Sequence, residues 1–215
     1  MNHEEAVRYV TSTKDGEKQM AYIARVSNPE NQENPNYAKL LAYCIKHQHW
    51  SVFEGASLTV EIKTSRAIAA QILRHRSATF QEFSQRYASP TKTVIYEARR
   101  QDTKNRQNSI NDLSDETNEW FKNAQNKISS LSFSLYEEAI TKGIAKECAR
   151  FLLPQSTEST LYMTNNCRNW IHYIQLRTTS GTQKEHRDIA EMIKKVFVDE
   201  WPTVAEALGW IDSQG

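Results

Sequence analysis

Leu58-Thr-Val60-Glu-Ile62-Lys-Thr-Ser65-Arg66-Ala-Ile68-Ala-Ala-Gln71-Ile72-Leu73-Arg74-His75-Arg76 changes its apolar period halfway along. Leu58, Val60 and Ile62 alternate with Thr59 and Glu61, the period of a half-buried strand. Ser65 then has the chemistry of a helix cap, and Ile68, Ile72 and Leu73 share one side of a helix predicted to reach about Arg76. Upstream, Ala6–Thr13 suits a first strand, and Gly16–Ser27 a helix with Met20, Ile23 and Ala24 on one side. Asn28–Asn36 holds two prolines and four asparagines, which makes it a loop. Tyr37, Leu40, Leu41 and Cys44 then recur at helical spacing. Downstream, Val94 and Tyr96 suggest a strand before a polar loop, Arg99–Asn111. A long helix is expected from Ser114 or Asp115, with Trp120, Phe121, Ala124, Ile128, Leu131 and Tyr136 as its apolar stripe and Gly143 as its stop. A short helix, Ala145–Leu153, stops at Pro154. Leu161–Thr164 is expected to be extended, and Asn166–Arg177 and Gln183–Phe197 to be helical. Helices and strands mix without a βαβ rhythm, so the expected class is α+β, a mostly antiparallel sheet flanked by helices and not a Rossmann fold. The length, 215 residues, suits a single domain spanning 1–215.

Bulk composition narrows the function. Lys+Arg 27 against Asp+Glu 26 leaves a net charge of +1, whereas a dedicated nucleic-acid binder carries a clearer basic excess. No nucleic-acid partner is therefore expected, and any anion site must come from local clustering. Cys44, Cys148 and Cys167 show no CxxC spacing, which argues against a disulfide framework or a zinc site. His47 and His49 are two apart, a poor spacing for helical metal ligands, and no metal is expected. The sequence MNHEEAVRYV has no secretory pattern and no apolar run reaches membrane length, so a reducing cytoplasm is the expected compartment and no membrane the expected partner.

Polar chemistry is densest from Gln71 to Tyr87. Gln71 and Arg74, three apart, are expected on one helix face, with His75 and Arg76 in the last turn. Basic residues at a helix end also offset the macrodipole, which is the bland account of Arg74-His75-Arg76. Against it, Arg74, Arg76 and Arg86 share a short stretch with only one acid, Glu82. Clustered like charges cost energy unless they share an anion, and Ser84-Gln85-Arg86-Tyr87 adds donors suited to phosphate.

Arg74-His75-Arg76 followed after seven residues by Ser84, with Glu82 and Arg86-Tyr87 in register, resembles the signature of the flavin-dependent thymidylate synthases. The segment His49-Trp-Ser51-Val-Phe53-Glu54 is similar to the family's His-x-Ser/Thr-x-Phe-Glu. Glu147-Cys-Ala-Arg150-Phe-Leu-Leu-Pro154 and Asn166-Cys-Arg168 through Gln175-Leu-Arg177 resemble two further blocks, and Gln183-x-Glu185 follows. The resemblance implies the thymidylate synthase-complementing fold and reductive methylation of dUMP to dTMP. It implies 5,10-methylenetetrahydrofolate as carbon donor and NADPH-reduced FAD as hydride source. It assigns Ser51, Arg74, His75, Arg76, Glu82, Asn166 and Arg168 to FAD. To dUMP it assigns Gln71, Arg74, Glu82, Ser84, Gln85, Arg86, Arg150 and Arg177. His49 is carried over to the flavin or folate side. In this family several subunits of a homotetramer build each site. Two positions depart from the pattern: Gln81 stands where Asn is usual, and His172 stands where Asn is frequent. His172 lies four residues after Arg168, on the same helix face, from which it is expected to reach the flavin.

Uracil C5 is a poor nucleophile, and methylation there needs electron density stabilised on the ring carbonyls. A guanidinium does this with fixed, permanently charged donors, and Arg177 is the candidate catalytic residue. Capping of helix carbonyls is its ordinary alternative. Arg86 and Arg150, with Ser84 and Gln71, are expected to hold the phosphate. Ser84 is assigned to binding, since an activated serine needs a base within reach, and no covalent enzyme nucleophile is expected. The glycines form neither GxGxxG nor a P-loop, so FAD must be held by side chains and subunit interfaces, with NADPH a transient visitor. Three other readings stay open: a nucleic-acid-binding module, a member without turnover, and a flavoprotein of the same fold acting on another pyrimidine nucleotide.

Overall fold

The computed structural model describes residues 6–211. In chain order its strands are β1 (Val7–Ser12), β2 (Ser57–Ser65), β3 (Thr79–Glu82), β4 (Arg100–Gln101), β5 (Ser109–Ile110) and β6 (Glu158–Asn166). The helices are α1 (Gly16–Ala24), α2 (Ala38–Lys46), α3 (Arg66–Ile72), α4 (Asp115–Thr141), α5 (Lys146–Ala149), α6 (Cys167–Arg177), α7 (Lys184–Glu200) and α8 (Pro202–Ala207). One antiparallel sheet runs β1-β2-β6-β3, and β4 and β5 form a separate ribbon. The expected α+β class with an antiparallel sheet is what the chain adopts.

Strands β2 and β6 pair along their full length, from Ser57 opposite Asn166 to Ser65 opposite Glu158. Leu58, Val60 and Ile62 point with Leu161 and Met163 into a face that admits no solvent. Period two therefore buries one side of each strand. Helices α3, α6 and α7 cover that face. Trp170, Tyr173 and Ile174 of α6 and Ile189, Ile193 and Phe197 of α7 fill it. The Trp170 indole N–H donates to the Leu58 carbonyl at 3.0 Å, which ties α6 to the central strand. Ser65 ends β2 and caps α3 in one residue: its hydroxyl accepts from the Ile68 N–H and from the Tyr96 hydroxyl at 2.7 Å.

Several expectations are corrected. Helix α3 stops at Ile72, so Arg74, His75 and Arg76 lie in the turn beyond it and Gln71 and Arg74 do not share a helix face. The Arg74 and His75 N–H groups bond back three residues, to Gln71 and Ile72, which tightens the chain into β3. Strand β3 has a single apolar residue, Phe80, which pairs with Met163. Val94 and Tyr96 form no strand. Only an isolated bridge joins Thr93 to Thr157. The Gln125 side chain takes both backbone groups of Tyr96, at 3.0 and 2.8 Å, and so replaces a partner strand. Helix α4 starts at the Ser114 cap as expected, but its stripe divides. Tyr136 and Ala139 pack with Ala149 in a small second core, while Trp120, Ile128 and Leu131 face solvent. Among the described residues no helix is long and apolar enough to cross a membrane.

Candidate active site

The turn from α3 to β3 carries Arg74, His75 and Arg76. Both guanidinium groups are exposed and, among the described residues, form no side-chain hydrogen bond or ion pair. His75 points inward and is 6% exposed. Its Nε2 lies 2.8 Å from the Ser77 hydroxyl, and its ring meets the Tyr173 ring edge-on with centroids 5.0 Å apart. The Tyr173 hydroxyl in turn lies 3.0 Å from Nε2 of buried His186. Arg177 stands one helical turn beyond Tyr173 on α6. Its Nε is buried and has no hydrogen-bond partner among the described residues. Burial, then His172 and Arg177, pushes His75 down to about 4. Burial, then Arg177 and His75, pushes His186 down to about 4. Burial pushes the Tyr173 hydroxyl well above the ordinary phenol range, against the pull of Arg177. At neutral pH both buried imidazoles and the phenol are therefore uncharged beside the fixed charge of Arg177.

This has a measurable consequence. An unfolded His186 binds its proton near 6.5 and the native one only near 4, so between those values the unfolded chain holds more protons. The stabilising contribution is complete above 6.5 and is lost as pH falls toward 4. Allowing for solvent screening, it amounts to about 2 kcal/mol. Chemical denaturation at pH 7.0 and pH 4.5 should show that loss in the parent chain, and His186→Gln should shrink it. An identical pH slope in both proteins would refute it.

Helix α6 exposes a groove of about 400 Å³ lined by Trp50, Arg168, Asn169, Ile171, His172 and Gln175. Asn166 caps the helix by accepting from the Asn169 N–H at 2.9 Å, and the Asn169 amide donates to the Ser77 carbonyl at 3.0 Å. The second bond fastens the arginine turn beside the groove. Arg168 pairs with Glu54, and Ser51 is exposed in the helical turn Trp50–Glu54. His49 is exposed near Tyr43 and His47. Arg168 and His172 line the groove together, Ser51 follows its wall residue Trp50, and the Asn166 cap precedes Arg168 at the start of α6. A flavin ring offers both N–H and carbonyl edges to such mixed donors and acceptors, and Trp50 supplies an apolar wall, so the groove fits that group chemically. Its volume lies in the lower part of the usual range for small-molecule sites, too small to enclose a dinucleotide alone.

A second group lies after β3. Arg86 pairs with the Glu147 carboxylate at 3.4 Å, and the Arg150 Nε donates to the Glu147 carbonyl at 3.2 Å. Two arginines distant in sequence thus meet at one residue. Ser84 accepts from the Arg86 N–H, and Gln85 is buried with an unpartnered Nε2. Glu82 is bound by Arg66 at 2.5 Å and by the Ser159 hydroxyl at 2.9 Å. Gln71 donates to Gln183 at 2.6 Å. Among the described residues no hydrogen bond or ion pair joins Arg86 and Arg150 to the cluster around Arg177. His75 pairs with Ser77 and not with Ser84. Burial pushes the Cys167 thiol well up, so Arg168 beside it in sequence does not activate it.

Tyr173, His186 and Arg99 escaped the sequence reading. His186 was visible in principle: with Ile189, Ala190, Ile193 and Phe197 it completes the buried stripe of α7. Arg99, which pairs with Glu185, gave no local signal.

Comparison with known proteins matches this arrangement to a family. The thymidylate synthase complementing protein model matches residues 8–203. A flavin-dependent thymidylate synthase of Synechocystis is 55% identical over 214 residues, covering 95% of this chain and 99% of the relative. A probable flavin-dependent thymidylate synthase of Paramecium bursaria Chlorella virus 1 is 54% identical, covering 94% of each chain. The solved structure of the UMP/dUMP methylase PolB from Streptomyces cacaoi, bound with 5-Br dUMP, superposes with a TM-score of 0.83 at 26% identity, over 95% of this chain and 94% of that one. The chain belongs to the flavin-dependent thymidylate synthase family.

Proposed function

We propose that this chain methylates dUMP to dTMP, taking its carbon from 5,10-methylenetetrahydrofolate and its reducing power from NADPH through bound FAD, with tetrahydrofolate as the second product. The observation that carries this reading is the buried, unpartnered Nε of Arg177, a cation with unused hydrogen-bonding capacity beside neutral His75, Tyr173 and His186. Gln85, the other predicted ligand residue with an unpartnered buried donor, supports it. A buried donor left unpaired costs free energy, and a ligand acceptor recovers it.

In this reading Arg168, His172, Asn169 and Ser51 hold the flavin from the α6 groove, with Arg74 and Arg76 of the adjacent turn reaching its phosphates and His49 at the rim. His75, Glu82 and Asn166 act differently from donors in open solvent: each is engaged within the protein and fixes the shape of the wall. Reduced flavin, when bound, supplies hydride. Arg86, Arg150 and Ser84 hold the dUMP phosphate, which orients the base. Arg177 stabilises charge on the uracil carbonyls as C5 gains its carbon. No enzyme group attacks the ring covalently. The exposed Trp120, Ile128 and Leu131 of α4 suit a subunit interface. Together with the separation of Arg177 from Arg86 and Arg150, they support a homotetramer whose sites are shared between subunits. Three free cysteines fit a reducing cytoplasm, and the single sheet with its helices fits one domain over 1–215.

The test uses the purified protein. It should be yellow, and with dUMP, methylenetetrahydrofolate and NADPH it should form dTMP and release tritium from C5-labelled dUMP. UMP belongs in the same assay, because the structural neighbour is named for both nucleotides. Colourless protein, or no dTMP, defeats the reading. Preference for UMP would replace its substrate.

A further inference from the structure

Four side chains from distant parts of the sequence form one line. Arg99 pairs with Glu185, and both side chains are nearly buried, 11% and 12% exposed. The Gln183 amide nitrogen donates to the other Glu185 oxygen at 2.8 Å. The Gln71 amide nitrogen donates to the Gln183 carbonyl oxygen at 2.6 Å. The Arg99 Nε is held in turn by the Ser109 hydroxyl at 2.9 Å.

We propose that Arg99, Glu185 and Gln183 are positioning residues that fix which way the Gln71 amide faces, so that Gln71 presents its carbonyl oxygen to the nucleotide. The inference rests on the reading above, in which Gln71 lines the dUMP site. An amide can be turned over at little steric cost, so its orientation must come from its partners. Arg99 has only donors. Burial pushes the Glu185 carboxyl up, but the bonds from Arg99 and Gln183 outweigh it and hold the group below the ordinary carboxylate range. An ionised carboxylate only accepts. Gln183 must therefore turn its NH₂ toward Glu185 and its oxygen toward Gln71. Gln71 must answer with its NH₂, which leaves its carbonyl oxygen and one N–H free. Each step follows from the one before, and the buried cation sets the first.

The chemistry at the far end is specific. A carbonyl oxygen suits a ribose hydroxyl or the uracil N3–H, both donors, and repels a phosphate oxygen. The Gln71 carbonyl oxygen then serves the nucleoside part of dUMP, a contact that its sequence neighbourhood, read as phosphate-binding, did not suggest. The positively charged phosphate contacts are left to Arg86 and Arg150.

An isosteric substitution can reverse the relay. In Glu185→Gln, one amide oxygen still accepts from Arg99 and the new NH₂ faces Gln183. Gln183 turns over, Gln71 follows, and the nucleotide now meets NH₂ in place of oxygen. Gln71→Glu in the parent sets a carboxylate against the Gln183 oxygen, acceptor against acceptor. Combined, the two substitutions agree: Gln183 donates to residue 71, whose second carboxylate oxygen again accepts from the nucleotide. Equilibrium binding of dUMP to the flavin-loaded full-length protein should weaken about tenfold in each single variant. The double variant should return to within about threefold of the parent. Turnover at saturating dUMP should change less than KM. Penalties that multiply in the double variant overturn the relay. Failure of the parent to bind dUMP overturns the proposed function and the relay with it. Should thermal unfolding show that Glu185→Gln disrupts the fold, Gln183→Met decides the question, because it cuts the line and keeps the ion pair. It should weaken dUMP binding about threefold, and unchanged affinity there refutes the proposal.

Discussion

Arg177→Ala should lower the rate of dTMP formation about 10²–10³-fold while flavin content stays within roughly twofold, the scale seen when one preorganised donor to a developing oxyanion is removed. The ordinary alternative, an arginine that caps helix carbonyls, loses support from the end of α6. There the Thr178 hydroxyl donates to the Ile174 carbonyl at 2.8 Å, and the Thr179 hydroxyl donates to that of Leu176 at 3.0 Å. The threonines do the capping. Arg177 instead turns inward, beside His75 and His186, which burial keeps neutral, and its Nε meets no acceptor among the described residues. An unshielded guanidinium in a site of low polarity acts more strongly on a nearby carbonyl than it would in water. Arg177→Lys should recover little, because an ammonium lacks the planar fork that addresses two atoms of a ring edge at once. Reverse-phase quantitation of dTMP and the visible absorbance of the same preparations separate the two effects. Parallel loss of turnover and flavin would make Arg177 a binding or folding residue.

Legibility of this fold followed where the apolar signal was carried locally. The strand-to-helix switch at Ser65 was readable because Leu58, Val60 and Ile62 change to Ile68 and Ile72 within a few residues. Strand β3 was hidden because polar Thr79, Gln81 and Glu82 surround one apolar Phe80, which leaves no period to read, and its partner, β6, lies far along the chain. The same segment therefore gave the site and concealed the strand. On α4 the apolar stripe is present but does not bury as a whole: Tyr136 is packed, while Trp120, Ile128 and Leu131 are exposed. Burial between subunits leaves the same mark in a sequence as burial in a core. Arg99 and Glu185 could not be paired by spacing at all. A buried ion pair between segments this distant leaves two ordinary charged residues and no period.

Replacing Arg86 and Arg150 together by alanine should raise KM for dUMP about 10³-fold, two charge-assisted hydrogen bonds to phosphate, while kcat falls far less. The phosphate lies away from the reacting carbon, so its contacts bind ground state and transition state alike and appear in KM. Glu147 holds both residues in the meantime, Arg86 by an ion pair and Arg150 through its carbonyl. That ion pair is half exposed on both sides and so contributes at most about 1 kcal/mol, which a phosphate dianion readily displaces. Deoxyuridine, which lacks the phosphate, isolates the effect: parent and double variant should use it equally poorly. A double variant that still prefers dUMP over deoxyuridine as strongly as the parent would remove both arginines from the phosphate. The two ends of the nucleotide then imply an architecture. Among the described residues no hydrogen bond or ion pair joins Arg177 to the Arg86–Arg150 pair, and under the proposed homotetramer a single dUMP would meet all three where two subunits adjoin. Arg177→Ala protein and Arg86→Ala/Arg150→Ala protein, each nearly inactive at dUMP far below the double variant's KM, should regain activity there when unfolded and refolded as a mixture, because some interfaces then combine the intact arginines of both. Without that recovery, phosphate and uracil are held by one chain after all, through a rearrangement that brings its two arginine groups together.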